Sequence, residues 1–410
     1  MSRIKKEMSV KRLFYITTII FVSIFLIAIQ ISHGVVIKKY LFADKLDTFM
    51  DFFNSVFDTI GNRPYSRGTI YPPLCYMIYS FFLGFIPSAQ MTSNAFMLRI
   101  YQGSLISFMI YFTLILYGLG YLIIRTKKGT NLEKKLFLII MLFSTPFLYA
   151  FERGNIILLS LICLLFFLNF KDSKNKFLKE LALISLATSA ALKIYPAIYG
   201  VILLKEKRYK ESIRVAIYGM LLFFIPFLCF GGFATIGQFF NNLMTASKDF
   251  SINNAVNNLG YTTILNKISM KLNLSQSILP LLFKLGFYIS MIICFISSFI
   301  SKSFWKTTAL LTIMMIAIPS ISFTYAAIFM VIPIMYLLDE KEHTKIDYFY
   351  IIIIVLMMFP NPICLLQTGK MIEFYSHISW NSIITIISLV IIMITLNIDI
   401  IYHFIKNRHS

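Results

Sequence analysis

The chain has 410 residues, of which 58% are hydrophobic and only 14% charged, and its Lys and Arg outnumber Asp and Glu by 38 to 18. Soluble domains average about 45–50% apolar and about 25% charged residues, so an ordinary soluble enzyme is excluded. The excess of +20 is not read as a nucleic-acid footprint, because much of it sits in short loops between apolar runs, as cytoplasmic loops do under the positive-inside bias.

In chain order, Arg3, Lys5, Lys6, Lys11 and Arg12 precede an apolar run from Leu13 to about Ser32 with no small-residue cleavage site after it. This predicts an uncleaved first span with a cytoplasmic N-terminus. Residues 33–70 form a first outer loop. Apolar runs follow near 71–87, 101–124, 136–150, 156–170, 181–204, 215–236, 280–300, 307–323, 325–338, 348–366 and 383–405. Most approach the roughly 20 residues that cross a hydrocarbon core. The expected fold is all-α: one polytopic membrane domain over 1–410, about a dozen spans, both termini cytoplasmic.

Counting every run as one crossing places the basic loops 125–135 and 171–179 outside, against the positive-inside rule. Making 71–87 re-entrant and 181–204 a broken hairpin repairs both. Pro72-Pro73 and Lys193-Ile194-Tyr195-Pro196 supply the breaks. A second outer loop, 237–279, is rich in Asn (Asn241, Asn242, Asn253, Asn254, Asn257, Asn258) and ends in an amphipathic stretch, Ile264 to Leu274. Cys75, Cys163, Cys229, Cys294 and Cys364 all lie in apolar segments and read as small hydrophobes, not as disulfides or a zinc site.

The first outer loop carries the most chemistry. On a helix over 44–60, Leu46, Phe49, Met50, Phe53, Val56, Phe57 and Ile60 share an arc of roughly 120°, and Asp44, Asp47, Asp51 and Asp58 another of roughly 60°. This predicts an amphipathic helix on the outer surface, stopped by Gly61-Asn62-Arg63-Pro64. The acids can be a plain solvated face. Yet interfacial helices usually carry Lys and Arg there, so a cluster of carboxylates points to a task such as general-base chemistry on a hydroxyl.

An acidic position after the first span, an aromatic-rich helix, Pro64-Tyr65 and then Tyr71-Pro72-Pro73 resemble the polyprenol-phosphate-sugar-dependent glycosyltransferases of GT-C fold, and most of all glycosyltransferase family 87, the α-mannosyltransferase type. The family's Gly-Asn turn is matched by Glu152-Arg153-Gly154-Asn155, without the usual Gln. Its Ala-rich run ending in Lys-x-x-Pro is matched by Ala190 to Pro196 and the basic patch Lys205 to Lys210. Its Ser-Pro-x-Ser-Trp-x-His motif reads Pro319 to Tyr325 here, so Tyr325 stands where His is expected.

The resemblance implies an inverting, metal-independent transfer of mannose or a similar hexose at the plasma membrane, with no cofactor. The donor is a polyprenyl-phosphate-linked sugar and the acceptor a glycolipid or polysaccharide precursor; membrane lipid surrounds the enzyme. By resemblance Asp47, about 18 residues before Tyr65, is the catalytic base, with Asp51 one turn on as the alternative. Arg153, Lys193 and Arg67 are the cations available to a leaving lipid phosphate. Tyr71, Asn155 and Tyr325 complete the substrate-binding candidates. Arg153 can instead pair with Glu152, and Lys193 can snorkel from a helix end. His377 and Trp380 in an outer loop can face a sugar or serve as an interfacial anchor. Two rivals stay open. A polysaccharide repeat-unit polymerase wants a larger Arg-bearing late loop, and a lipid-linked oligosaccharide flippase wants polar residues through several spans.

Overall fold

A hydrocarbon core offers no water to unpaired backbone groups, so a chain this apolar is driven to helix. The computed structural model bears this out over the residues it describes: 9–41, 47–86, 94–249, 257–261, 264–265, 278–362, 365 and 379–406. Among them there is no strand, only an isolated antiparallel bridge between Asn258 and Phe323.

The principal helices are α1 (Val10–Ile31), α2 (Met50–Asp58), α3 (Pro73–Leu83), α4 (Gln102–Thr126), α5 (Asn131–Leu142), α6 (Thr145–Arg153), α7 (Ile157–Phe170), α8 (Lys176–Leu192), α9 (Val201–Lys205), α10 (Tyr209–Phe224), α11 (Ile236–Lys248), α12 (Leu279–Ile300), α13 (Phe304–Ala317), α14 (Val331–Leu338), α15 (Lys345–Met358) and α16 (Trp380–Lys406). Local chemistry sets several starts. Ser9 Oγ accepts from the Arg12 N–H at 3.2 Å, and Thr130–Glu133 and Thr344–Asp347 form capping boxes.

Among the described residues five helices are long and apolar enough to cross a membrane: α1, α4, α10 with its 3₁₀ extension to Phe230, α12 and α16. The pair α5 and α6, bent by 58°, makes a sixth. Helices of that length do not reach the expected dozen. The other apolar segments are shorter, and two are broken. α8 stops at Leu192, Lys193 is extended, and a 3₁₀ turn over Tyr195–Gly200 leads into α9. A 3₁₀ turn over Thr324–Met330 likewise leads into α14.

Polar contacts show which loops share an end. Lys127 pairs with Asp339, whose other oxygen accepts from the Lys128 N–H at 2.8 Å. Ser303 Oγ donates to Glu340 at 3.0 Å, and Lys205 Nζ donates to Ser298 O and Ser301 O at 2.8 and 2.6 Å. Lys171 pairs with Glu206 at 2.6 Å, Arg208 with Asp172 at 2.7 Å, and Lys306 with Asp399. Tyr15 OH donates to Glu133 O at 3.2 Å. The loops after α4, α7, α9, α12 and α14 therefore meet at one end, with the start of α1 and the last turns of α16. Loops 125–135 and 171–179 are on the same side. Residues 176–205 go out and return, as the broken hairpin expected from Lys193–Pro196 requires.

The helix of the first outer loop is shorter than its periodicity suggests, and its apolar face meets protein. It begins at Met50, and Met50, Phe52, Phe53 and Val56 are fully buried. The Phe52 ring centroid lies 5.0–5.9 Å from those of Tyr79, Phe82, Phe108 and Tyr111. Burying a Phe contributes about 1.5–3 kcal/mol, so this cluster fixes α2 firmly against α3 and α4. Of the cysteines, Cys75 and Cys294 are buried and Cys163 half-buried, while Cys229 is exposed, contrary to a core role. Cys364, Asp44, His377 and most of the Ile264–Leu274 stretch lie outside the described residues.

Candidate active site

Three chain breaks meet at the end of the bundle away from the basic loops. The first precedes α2. Phe49 adopts a left-handed conformation, φ +61°, and its N–H donates to Glu152 O at 2.6 Å. Arg99 Nη1 donates to Thr48 O at 2.9 Å. A non-glycine residue at positive φ is costly, and here the hydrogen bond and the packing of the Phe49 ring against the tilted Phe108 ring (centroids 4.5 Å apart) hold it. This is why the helix starts at Met50: Asp47 lies in the bend before it and Asp51 in its first turn.

The second break follows α6. Gly154 at φ +65° ends the helix, and a Cβ there would lie 2.9 Å from Phe52 Cβ and 3.1 Å from the Phe108 ring. Only glycine lets this turn close onto α2. Asn155, fully buried, accepts the Ile157 N–H on Oδ1 at 2.9 Å and so opens α7. Its Nδ2 donates to Asp51 Oδ2 at 2.6 Å and to the Tyr71 hydroxyl at 3.1 Å.

Arg153 joins the two acids. It contacts Asp51 Oδ1 at 2.6 Å and also pairs with Asp47. It does not pair with Glu152, whose buried side chain hydrogen-bonds Thr48. The two carboxylates differ in exposure: the Asp47 side chain is 51% exposed and that of Asp51 14%. Both Asp51 oxygens are committed to Arg153 and Asn155, while Asp47 has one oxygen on Arg153 and is the more exposed of the two.

The third break is at Lys193. This lysine is buried, and its Nζ stands 4.2 Å from the Tyr71 ring centroid and 5.8 Å from that of Tyr325. Among the described residues no carboxylate lies within ion-pair distance of it. Tyr325 stacks on Tyr149 at 5.7 Å, and the Cys75 thiol donates to Leu192 O at 3.1 Å. The segment carrying Tyr325 is held by the second outer loop. Thr324 N–H donates to Asn257 O at 2.9 Å, and Asn258 Oδ1 accepts from Ser322 N–H at 3.2 Å.

Asp47, Asp51, Tyr71, Arg153, Asn155, Lys193 and Tyr325 thus converge. Arg67 does not join them. It donates to Phe57 O at 2.9 Å, covers the Phe57 ring at 4.3 Å and stands 4.0 Å from Asp58, closing the C-terminal end of α2. Burial pushes the Asp58 carboxyl up to about 7, against the pull of Arg67. Sequence reasoning passed over Tyr149, although it lies four residues before Arg153 on the same helix face. It noted Asn257 and Asn258 only as loop composition. Among the described residues no three His, Cys, Asp or Glu side chains gather as metal ligands do.

The arrangement offers an exposed carboxylate, an arginine fixed beside it, and a buried lysine under aromatic rings. A sequence model of glycosyltransferase family 87 matches residues 70–360, over two thirds of the chain, and takes in Tyr71, Arg153, Asn155, Lys193 and Tyr325. No curated protein and no solved structure matches the chain.

Proposed function

The chain belongs to glycosyltransferase family 87, and from that premise we propose that it is a GT-C-type hexosyltransferase using a polyprenyl-phosphate sugar. It moves one hexose, mannose or a close relative, onto a glycolipid or polysaccharide precursor at the outer face of the plasma membrane. The supporting observation is the convergence of Asp47, Asp51 and Arg153 near Lys193, at the end of a membrane domain away from its basic loops.

In this reading Asp47 takes the proton of the acceptor hydroxyl as its oxygen attacks the anomeric carbon. The bond from that carbon to the lipid phosphate breaks on the opposite face, which inverts the configuration, and the phosphate leaves with the bonding electrons. Arg153 and Lys193 face the charge that develops on it. Asp51 is a positioning residue: it fixes Arg153 and Asn155, and through Asn155 the Tyr71 hydroxyl. Tyr71 and Tyr325 present ring faces over Lys193 that suit the apolar face of a sugar or prenyl unit. Arg67 supports the loop helix.

The shared loop end favours about twelve passes, with 71–87 re-entrant, 181–204 a broken hairpin, and both termini in the cytoplasm. The test is transfer by the purified protein in lipid vesicles from a panel of polyprenyl-phosphate hexoses to lipid-linked glycans. Sugar transfer from one donor, with an inverted anomeric linkage in the product, is expected. Transfer from nucleotide sugars alone would overturn the donor class.

A further inference from the structure

At the opposite end of the molecule, a cavity of about 430 Å³ opens between the turn joining α12 to α13 and the last turns of α16. We propose that it seats the headgroup of an anionic phospholipid, whose phosphate sits between Lys302 and Lys306. The proposal is independent of sugar transfer.

Depth comes first. α16 has 27 residues, about 40 Å of helix against a hydrocarbon core of about 30 Å. Shared between its two ends, the excess of about 10 Å puts the last turn, with His403, at headgroup level, with Asp399 one turn below it. Ile300, the last residue of α12, lines the same cavity.

Charge comes second. Lys306 pairs with Asp399, and His403 Nε2 lies 3.4 Å from the same carboxylate, so the one acid in the wall is taken. Glu340, the other acid at this turn, accepts from Ser303 Oγ at 3.0 Å. Lys302 is exposed, lines the cavity and has no acidic partner among the described residues. A cavity with net positive charge between spans, at the end where Lys and Arg loops gather, is the kind of place that draws anionic headgroups. Third, the walls distinguish a lipid from free phosphate. Ile400 and Phe404 line the cavity, and Ile398 and Ile401 lie exposed one turn deeper on α16, at the depth of the acyl chains.

The test is thermal unfolding of the full chain in phosphatidylcholine vesicles with and without phosphatidylglycerol, read beside phosphatidylglycerol retained in native mass spectrometry. Wild type is expected to unfold later with phosphatidylglycerol and to retain it. Lys302→Gln should bind it about fivefold more weakly, since one lysine near an anionic surface contributes about 1 kcal/mol. Lys174→Gln, an exposed lysine in the loop 171–175 at the same end, should change nothing. Equal losses in the two variants would overturn the proposal in favour of diffuse attraction. A stabilisation by inorganic phosphate equal to that by phosphatidylglycerol would overturn it in favour of a free-phosphate site.

Discussion

Replacing Lys193 with methionine separates its structural from its chemical role, because the two predict opposite changes. Lys193 is 8% exposed, with two tyrosine rings near its ammonium and no carboxylate within ion-pair distance among the described residues. Desolvating an ammonium costs several kcal/mol in real proteins, and ring faces return about 0.5–2 kcal/mol each. A net cost of about 1–3 kcal/mol then remains whenever no anion is bound. Methionine has a similar length and no charge, so Lys193→Met should raise unfolding stability by about that amount. It should also remove a cation facing the leaving phosphate, which lowers transfer by about 10²–10³-fold. Denaturant unfolding in micelles and initial rates of sugar transfer on the same preparation give both values. A variant that unfolds more easily and transfers at the wild-type rate would refute the reasoning and make Lys193 a structural residue.

Gly154→Ala forces a side chain into the left-handed region 2.9 Å from Phe52 Cβ. It should destabilise the protein by about 1–3 kcal/mol, with transfer lost through displacement of Asp51 and Arg153, as urea titration and rates will show. Asp58 holds its proton more tightly in the folded chain, at about 7 against 3.8 when unperturbed. Its contribution is therefore complete below about pH 4 and is lost as the pH rises towards 7, by at most about 1.4 kcal/mol per unit. Asp58→Asn should flatten that part of the stability–pH curve; an unchanged curve would contradict the assignment. Lys128→Cys and Lys174→Cys should react with an impermeant thiol reagent from one side of sealed vesicles, and Arg63→Cys from the other, in a background lacking the exposed Cys229.

Much of this was legible in the residues. The membrane class follows from composition, and the hairpin follows from a lysine and a proline in an apolar run. Charge argued for a common side of the basic loops 125–135 and 171–179 without deciding it, and the ion pairs of Lys127 and Lys171 belong to the network that places both at one end. The family was legible in the order of weak motifs. The first outer loop was harder to read. Its periodicity runs unbroken from Asp44, but Phe49 flips to positive φ because its N–H is claimed by Glu152 O, about a hundred positions later. A helical wheel contains no such tertiary bond. Asp47 and Asp51 consequently meet through Arg153 and not along one helix face. The same limit applies to Arg67, whose charge suggested phosphate and whose guanidinium is turned to the end of its own loop helix. The Asn257 and Asn258 contacts with residues 322–324 are equally non-local.

The most direct test of the account is the rate of hexose transfer by Asp47→Asn, Asp51→Asn and Asp58→Asn at matched expression. A general base contributes about 10²–10⁴-fold. The account predicts a loss of that order at Asp47 at every pH. At Asp51 it predicts a smaller loss, accompanied by lowered stability as Arg153 and Asn155 are released, and at Asp58 near-normal rates. Full transfer by Asp47→Asn beside an inactive but stably folded Asp51→Asn would contradict it and move the base into the first turn of the loop helix.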